Sequence, residues 1–117
     1  MTAKATEVGG VKVVAEVVEV ADAKELLELS DRVKQTLGDS AVVLGCAVDG
    51  RVHLVANVAP PAVERGVKAG DVVRIAAEIV GGGGGGRDTM AQAGGRNPDK
   101  LPEAVAAARL AIERALG

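Results

Sequence analysis

No phenylalanine, tyrosine or tryptophan occurs anywhere in this 117-residue chain. Sheets that read single-stranded nucleic acid stack bases on aromatic rings, so an RNA-recognition or OB-type stacking mechanism is excluded. One cysteine, Cys46, leaves no partner for an intramolecular disulfide. With His53 as the one histidine, the ligands for a tetrahedral zinc site are also too few. The start Met1-Thr2-Ala3-Lys4-Ala5-Thr6-Glu7 lacks the apolar stretch of a signal peptide, and every apolar run is far shorter than a membrane span. The expected setting is therefore cytoplasmic, without a membrane partner. A net charge of −2 speaks against wholesale electrostatic capture of nucleic acid. From Gly81 onward, however, the balance tips slightly basic, which permits a local cationic patch.

What the chain has in excess is glycine. Gly81 to Gly86 run unbroken into Arg87, and Gly94-Gly95 follow Met90-Ala91-Gln92-Ala93. Consecutive glycines carry the highest backbone entropy cost, so a compact domain needs a reason to hold them. Close approach of another molecule to the main chain is one reason. Convergence of neighbouring N–H groups on a phosphate or carboxylate is another. The competing reading is a flexible linker, but linker glycines usually alternate with serine and join separable regions. Here they lead into an arginine, a glutamine and a second Gly-Gly, within a chain of one-domain length. The stretch reads as a loop facing a ligand or partner.

Two phosphate-binding signatures fail on context. A P-loop follows a strand and ends in Gly-Lys-Ser/Thr, whereas Gly86 precedes Arg87-Asp88 and the run follows a helix. The dinucleotide fingerprint requires glycines between a first strand and its helix, which is not their place here. No triad, carboxylate dyad or two-metal pattern is present, and no cofactor is expected.

The rest of the chain predicts an α/β domain with a mixed β-sheet and helices packed on it. Val11–Val20 reads as a strand. Asp22 and Glu25 make a capping box for a helix to Leu37, with Gly38 beyond its end. Ala41–Val48 and Arg51–Val58 are strands joined at Asp49-Gly50, a type I′ turn signal that sets Cys46 opposite His53. On the return strand Val52, Leu54, Ala56 and Val58 face the core, while Arg51, His53, Val55 and Asn57 form a mixed, partly exposed face. His53 reads as a polar strand residue and Cys46 as a small core residue. Pro60-Pro61 starts a short helical turn that Gly66 stops. A helix over 67–80 follows, with Val72, Ile75, Ala76 and Ile79 on its buried stripe. Met90–Ala93 is a short candidate for an edge strand, and a last helix spans Pro98–Leu116. Residues 1–10 are expected to be a flexible segment and 11–117 a single domain.

The stretch GGGGGGRDTMAQAGG from Gly81 to Gly95 resembles the glycine-rich signature of the DHH-associated domain at the C-terminus of alanyl-tRNA synthetases. That pattern has two glycines, a lysine, three glycines, then Arg-Pro-Asp-Met-Ala-Gln-Ala-Gly-Gly. This chain matches at Gly81, Gly82, Gly84 to Gly86, Arg87 and Met90 to Gly95, and departs at Gly83, Asp88 and Thr89. The resemblance implies a noncatalytic, tRNA-binding module of a longer synthetase chain, gripping the elbow of alanine tRNA in support of aminoacylation and editing. On that reading Arg87, Arg96 and Lys100 meet phosphates. Gly84, Gly85, Gly86, Gly94 and Gly95 permit close approach, and Gln92 bonds a base edge, a ribose or its own loop. An ion pair with Asp88 or Glu103 is the competing role for Arg87. Two further readings stay open: the substrate-binding domain of a DHH-type phosphoesterase, whose glycine loop usually carries a histidine, and a module that forms a homodimer.

Overall fold

Asp22 sits in extended backbone, and its carboxylate accepts a hydrogen bond from the Glu25 amide at 2.8 Å. Glu25 in turn reaches back to the Ala21 amide at 3.1 Å, so the helix start is fixed from both sides. In the computed structural model, which describes residues 6–117, this helix belongs to a larger series. The elements are β1 (Thr6–Val8), β2 (Val11–Val17), α1 (Ala23–Leu37), β3 (Ser40–Val48), β4 (Arg51–Val58), α2 (Pro60–Glu64), α3 (Ala69–Ile79), β5 (Gly83–Gly86), β6 (Met90–Gly95) and α4 (Leu101–Leu116), with a 3-10 turn at Pro98–Lys100.

The six strands form one mixed sheet in the order β1-β2-β3-β4-β6-β5. Only β2 and β3 run parallel, and α1 supplies the crossover that a parallel pair needs. Asp49 (φ 52°) and Gly50 (φ 78°) both take left-handed backbone, as a type I′ turn demands, and the ladder sets Cys46 against His53. Of the N-terminal residues expected to be flexible, Thr6–Val8 pair with β2, and 1–5 lie outside the described residues.

Helices cover both faces. On one side α3 and α4 pack over Val13, Val43, Leu54 and Ala56. On the other, α1 covers Val14, Val42, Leu44 and Val55 with Leu26. The second face of β4 is thus more buried than its mixed pattern implies, because α1 lies across it. Asn57 is only 1% exposed there, its amide donating to Asp31 at 2.7 Å and to Ser30 at 3.4 Å. A hydrogen-bonded asparagine can occupy an apolar interior at little cost.

Three expectations need correction. The strand expected over Val11–Val20 is β2 and ends at Val17, because beyond the Val18 amide bond to Gly45 the chain leaves the sheet toward Asp22. The buried arc of α3 runs through Val72, Val73, Ala76, Ala77 and, just past its end, Val80, while Ile75 is 39% exposed. Wedged between the sheet and α4, this helix is covered over a wider and rotated arc. Finally, Met90–Gly95 is an inner strand, since the glycine run itself takes the outside of the sheet.

Candidate nucleic-acid interface

Gly83–Gly86 pair antiparallel with β6, Gly84 opposite Ala93 and Gly85 opposite Gln92. The run is therefore not a nest of converging amides. Its groups are spread along roughly 10 Å of edge strand, where alternate N–H and C=O groups point away from the neighbour. The glycines fall into two sets. A Cβ on Gly84 would lie 2.5 Å from Ala93 Cα, one on Gly86 would lie 2.6 Å from the Met90 carbonyl oxygen, and one on Gly82 would overlap the Gly94 carbonyl. At Gly83 and Gly85 a Cβ would meet open space. Gly84 and Gly86 let β5 close on β6, Gly82 lies tight against Gly94, and Gly83 and Gly85 leave open space where a side chain would stand.

Backbone bonds hold both ends of the β5–β6 hairpin. At the turn, the Arg87 amide donates to Met90 at 2.8 Å. The carbonyls of Asp88 and Thr89 accept from the Ala69 and Val58 amides, each at 2.8 Å. At the other end the Val80 carbonyl accepts from both Arg96 (2.8 Å) and Asn97 (3.0 Å). Gly95 makes that possible, since a Cβ there would sit 2.7 Å from the same carbonyl oxygen. Arg87 and Arg96 are thus fixed at opposite ends of the hairpin, roughly 20 Å apart by strand rise. Both are exposed, as is Lys100 on the following turn. Among the described residues Arg87 forms no ion pair, neither with Asp88 nor with Glu103.

Two depressions flank the hairpin. One, about 340 Å³, is lined by Gly85, Gly86, Arg87, Thr89, Met90, Ala91 and Gln92. The other, about 580 Å³, gathers Gly94, Gly95 and Arg96 with Arg51, His53 and the β3–β4 turn. Gly84 and Lys100 line neither. Gln92 is exposed because α1 packs on β3 and β4 and leaves this face of β6 uncovered. Arg51 and His53 carry no sequence signal that marks them as site residues. The Asp49-Gly50 turn gives their pairing with β3, but nothing local announces that β6 lies on their other side.

Cys46, by contrast, takes no part in any open surface. Burial pushes its thiol above the ordinary value of 9.0, a hydrogen bond from the His53 backbone works the other way, and the Asp22 charge adds to the rise. Among the described residues no group of three or more His, Cys, Asp or Glu is placed to hold a metal ion. No helix among them is long and apolar enough to cross a membrane.

The family model described as the DHHA1 domain matches residues 10–114. The chain belongs to the DHHA1 domain family. Among its relatives is the alanine–tRNA ligase of Bacillus pumilus, 45% identical over 113 residues, which are 97% of this chain and 13% of that protein. The alanine–tRNA ligase of Chromohalobacter salexigens is 48% identical over 117 residues, all of this chain and 13% of that one. This DHHA1 domain therefore spans about an eighth of the curated relatives it matches, 13% in each of these two. Among solved structures, the C-Ala domain of Aquifex aeolicus alanyl-tRNA synthetase superposes with a TM-score of 0.79 and 31% identity, covering 97% of both chains. The resemblance carried by Arg87 and Met90–Gly95 thus holds over the whole domain. A DHH-domain member of the s1p family of ribosomal proteins has a TM-score of 0.65 at 16% identity, over 96% of this chain and 28% of that one, and shows the fold alone.

Proposed function

We propose that this DHHA1 domain is a noncatalytic tRNA-binding module of an alanyl-tRNA synthetase, working in the cytoplasm as part of a longer synthetase chain and docking on the elbow of alanine tRNA. The observation that carries the reading is the outer hairpin: bare main chain at Gly83 and Gly85, an uncovered face with Gln92, and an exposed arginine at either end. A tRNA elbow is a folded, phosphate-dense surface, recognised by shape and backbone rather than by threading a single strand. A flat glycine edge admits that surface closely, and arginines add charge-assisted bonds to phosphate. Neither step needs an aromatic ring. The C-Ala likeness over nearly the full length of both chains supports the same role.

The test is tRNA binding by filter or gel-shift assay across a salt series. Affinity falls as salt rises, and Arg87→Ala weakens it by about 1–3 kcal/mol, the range for hydrogen bonds to charged groups. Absence of binding at low salt rejects the proposal. The edge of β5, unpartnered among the described residues, favours one additional reading, a homodimer joined edge to edge at that strand. Sedimentation at micromolar concentration separates it from a monomer. The phosphoesterase alternative draws no support beyond a shared fold.

A further inference from the structure

We infer that the larger depression is a second phosphate site, made by Arg51, His53 and Arg96 around the side-chain-free floor of Gly94 and Gly95. The inference rests on the RNA-docking reading above and extends it to residues on a different hairpin. The ladder between β4 and β6 pairs Val52 with Gly95 and His53 with Gly94. Arg51 and Arg96 each lie one residue beyond the last pair of this ladder, and both line the depression. Two like charges lining one depression repel. Among the described residues neither forms an ion pair, although Asp49 also lines the depression. An unneutralised pair of guanidiniums, presented as planar forks at one mouth, matches an oxyanion with several acceptor oxygens.

His53 adds a donor. It is half-buried, and its register partner Gly94 has no side chain to fill the space beside the imidazole. The glycine amides do not supply the binding here. Those of Gly81 and Gly82 are already given to the Glu78 and Ala77 carbonyls. The contacts fall to the three side chains, and the glycines contribute clearance. The occupant is a phosphodiester of the RNA backbone. Arg87 holds the far end of the same hairpin, so one strand of folded RNA lying along β5 meets a cation at each end.

The experiment compares the intact chain with Arg51→Gln, Arg96→Gln and Arg87→Gln in tRNA binding across a salt series. A second arm titrates the labelled chain with inorganic phosphate and follows the Gly94 and Gly95 amide signals. Arg51→Gln is expected to weaken tRNA binding severalfold and to flatten the slope of log affinity against log salt by about one. Phosphate shifts the Gly94 and Gly95 signals in the parent and not in Arg51→Gln. Arg51 is exposed, so the variant keeps the parent amide spectrum elsewhere. If Arg51→Gln binds tRNA with parent affinity and slope while Arg87→Gln does not, the second site is overturned and the docking reading stands. If tRNA fails to bind at all, yet phosphate shifts the two glycines in the parent alone, the phosphate site survives and RNA docking falls. If neither ligand acts, both are wrong.

Discussion

In the β3–β4 hairpin Val42, Val43, Leu44, Leu54 and Val55 are each no more than 1% exposed, while in β5–β6 Ala91 is the one side chain buried to a similar degree, at 2%. The first hairpin is held by what its side chains fill, with a helix layer on either face. The second is held by what its residues omit. Gly84 and Gly86 lie against β6, and Gly82 against Gly94, where a Cβ would collide, and the face bearing Gln92 stays uncovered. One region is specified by volume and the other by its absence, and only the second is left open to a large partner.

The widest gap between the two should appear on truncating the filled one. Leu54→Ala removes a side chain 1% exposed between the sheet and α4, beside Leu101 and Val105. A loss of about 2–5 kcal/mol is expected from urea unfolding. A cost below about 1 kcal/mol would mean that this core is not what holds the sheet together.

Within the glycine edge the contrast turns on parity. Gly84→Ala forces the β6 backbone to move, since the new carbon falls 2.5 Å from Ala93 Cα. About 1–3 kcal/mol of destabilisation should follow, as for overpacking, with faster amide exchange along 90–95 and loss of tRNA binding. Gly83→Ala, one residue away, meets open space. It should leave stability within about 0.5 kcal/mol of the parent, or raise it by shrinking the freedom of the unfolded chain. Equal effects at the two positions would dissolve the distinction between closing and presenting glycines.

This parity was not legible in the sequence, although much else was. The capping box at Asp22 and Glu25, the Asp49-Gly50 turn and the Cys46–His53 pairing all follow from neighbours in sequence, and all stand in the structure. Six identical residues offer no alternation to read, so a strand at 83–86 had no pattern to betray it. Likewise Arg51 and Arg96 are brought together by the pairing of β4 with β6, a contact between segments some 45 residues apart that no local signal encodes. The apolar content of Ala41–Val48 suits the helix cover found on both its faces, but which helix covers which face is settled only by packing.

A smaller effect tests the open set directly. Gly83 stands where the resembling pattern has lysine, and its outward position has room for one. Gly83→Lys should fold as the parent does, tighten tRNA binding severalfold, and steepen the salt dependence by about one unit of slope. Unchanged affinity, measured in the same salt series, would place the RNA away from this edge.

The smallest effect belongs to the filled hairpin again, at Cys46. Its thiol is sealed between α1 and the sheet, and burial holds it above 9.0 despite the hydrogen bond from the His53 backbone. The folded state therefore keeps its proton more firmly than the unfolded chain does. That contribution to stability is complete below the unfolded value and is lost as pH climbs through the raised one. At pH 8 the native chain should resist iodoacetamide, with labelling limited by opening of the fold, and should label promptly in denaturant. Rapid labelling in the native state would show that α1 does not seal β3 and β4. The two hairpins would then differ less than their side chains imply, because the one built by filling would be open as well.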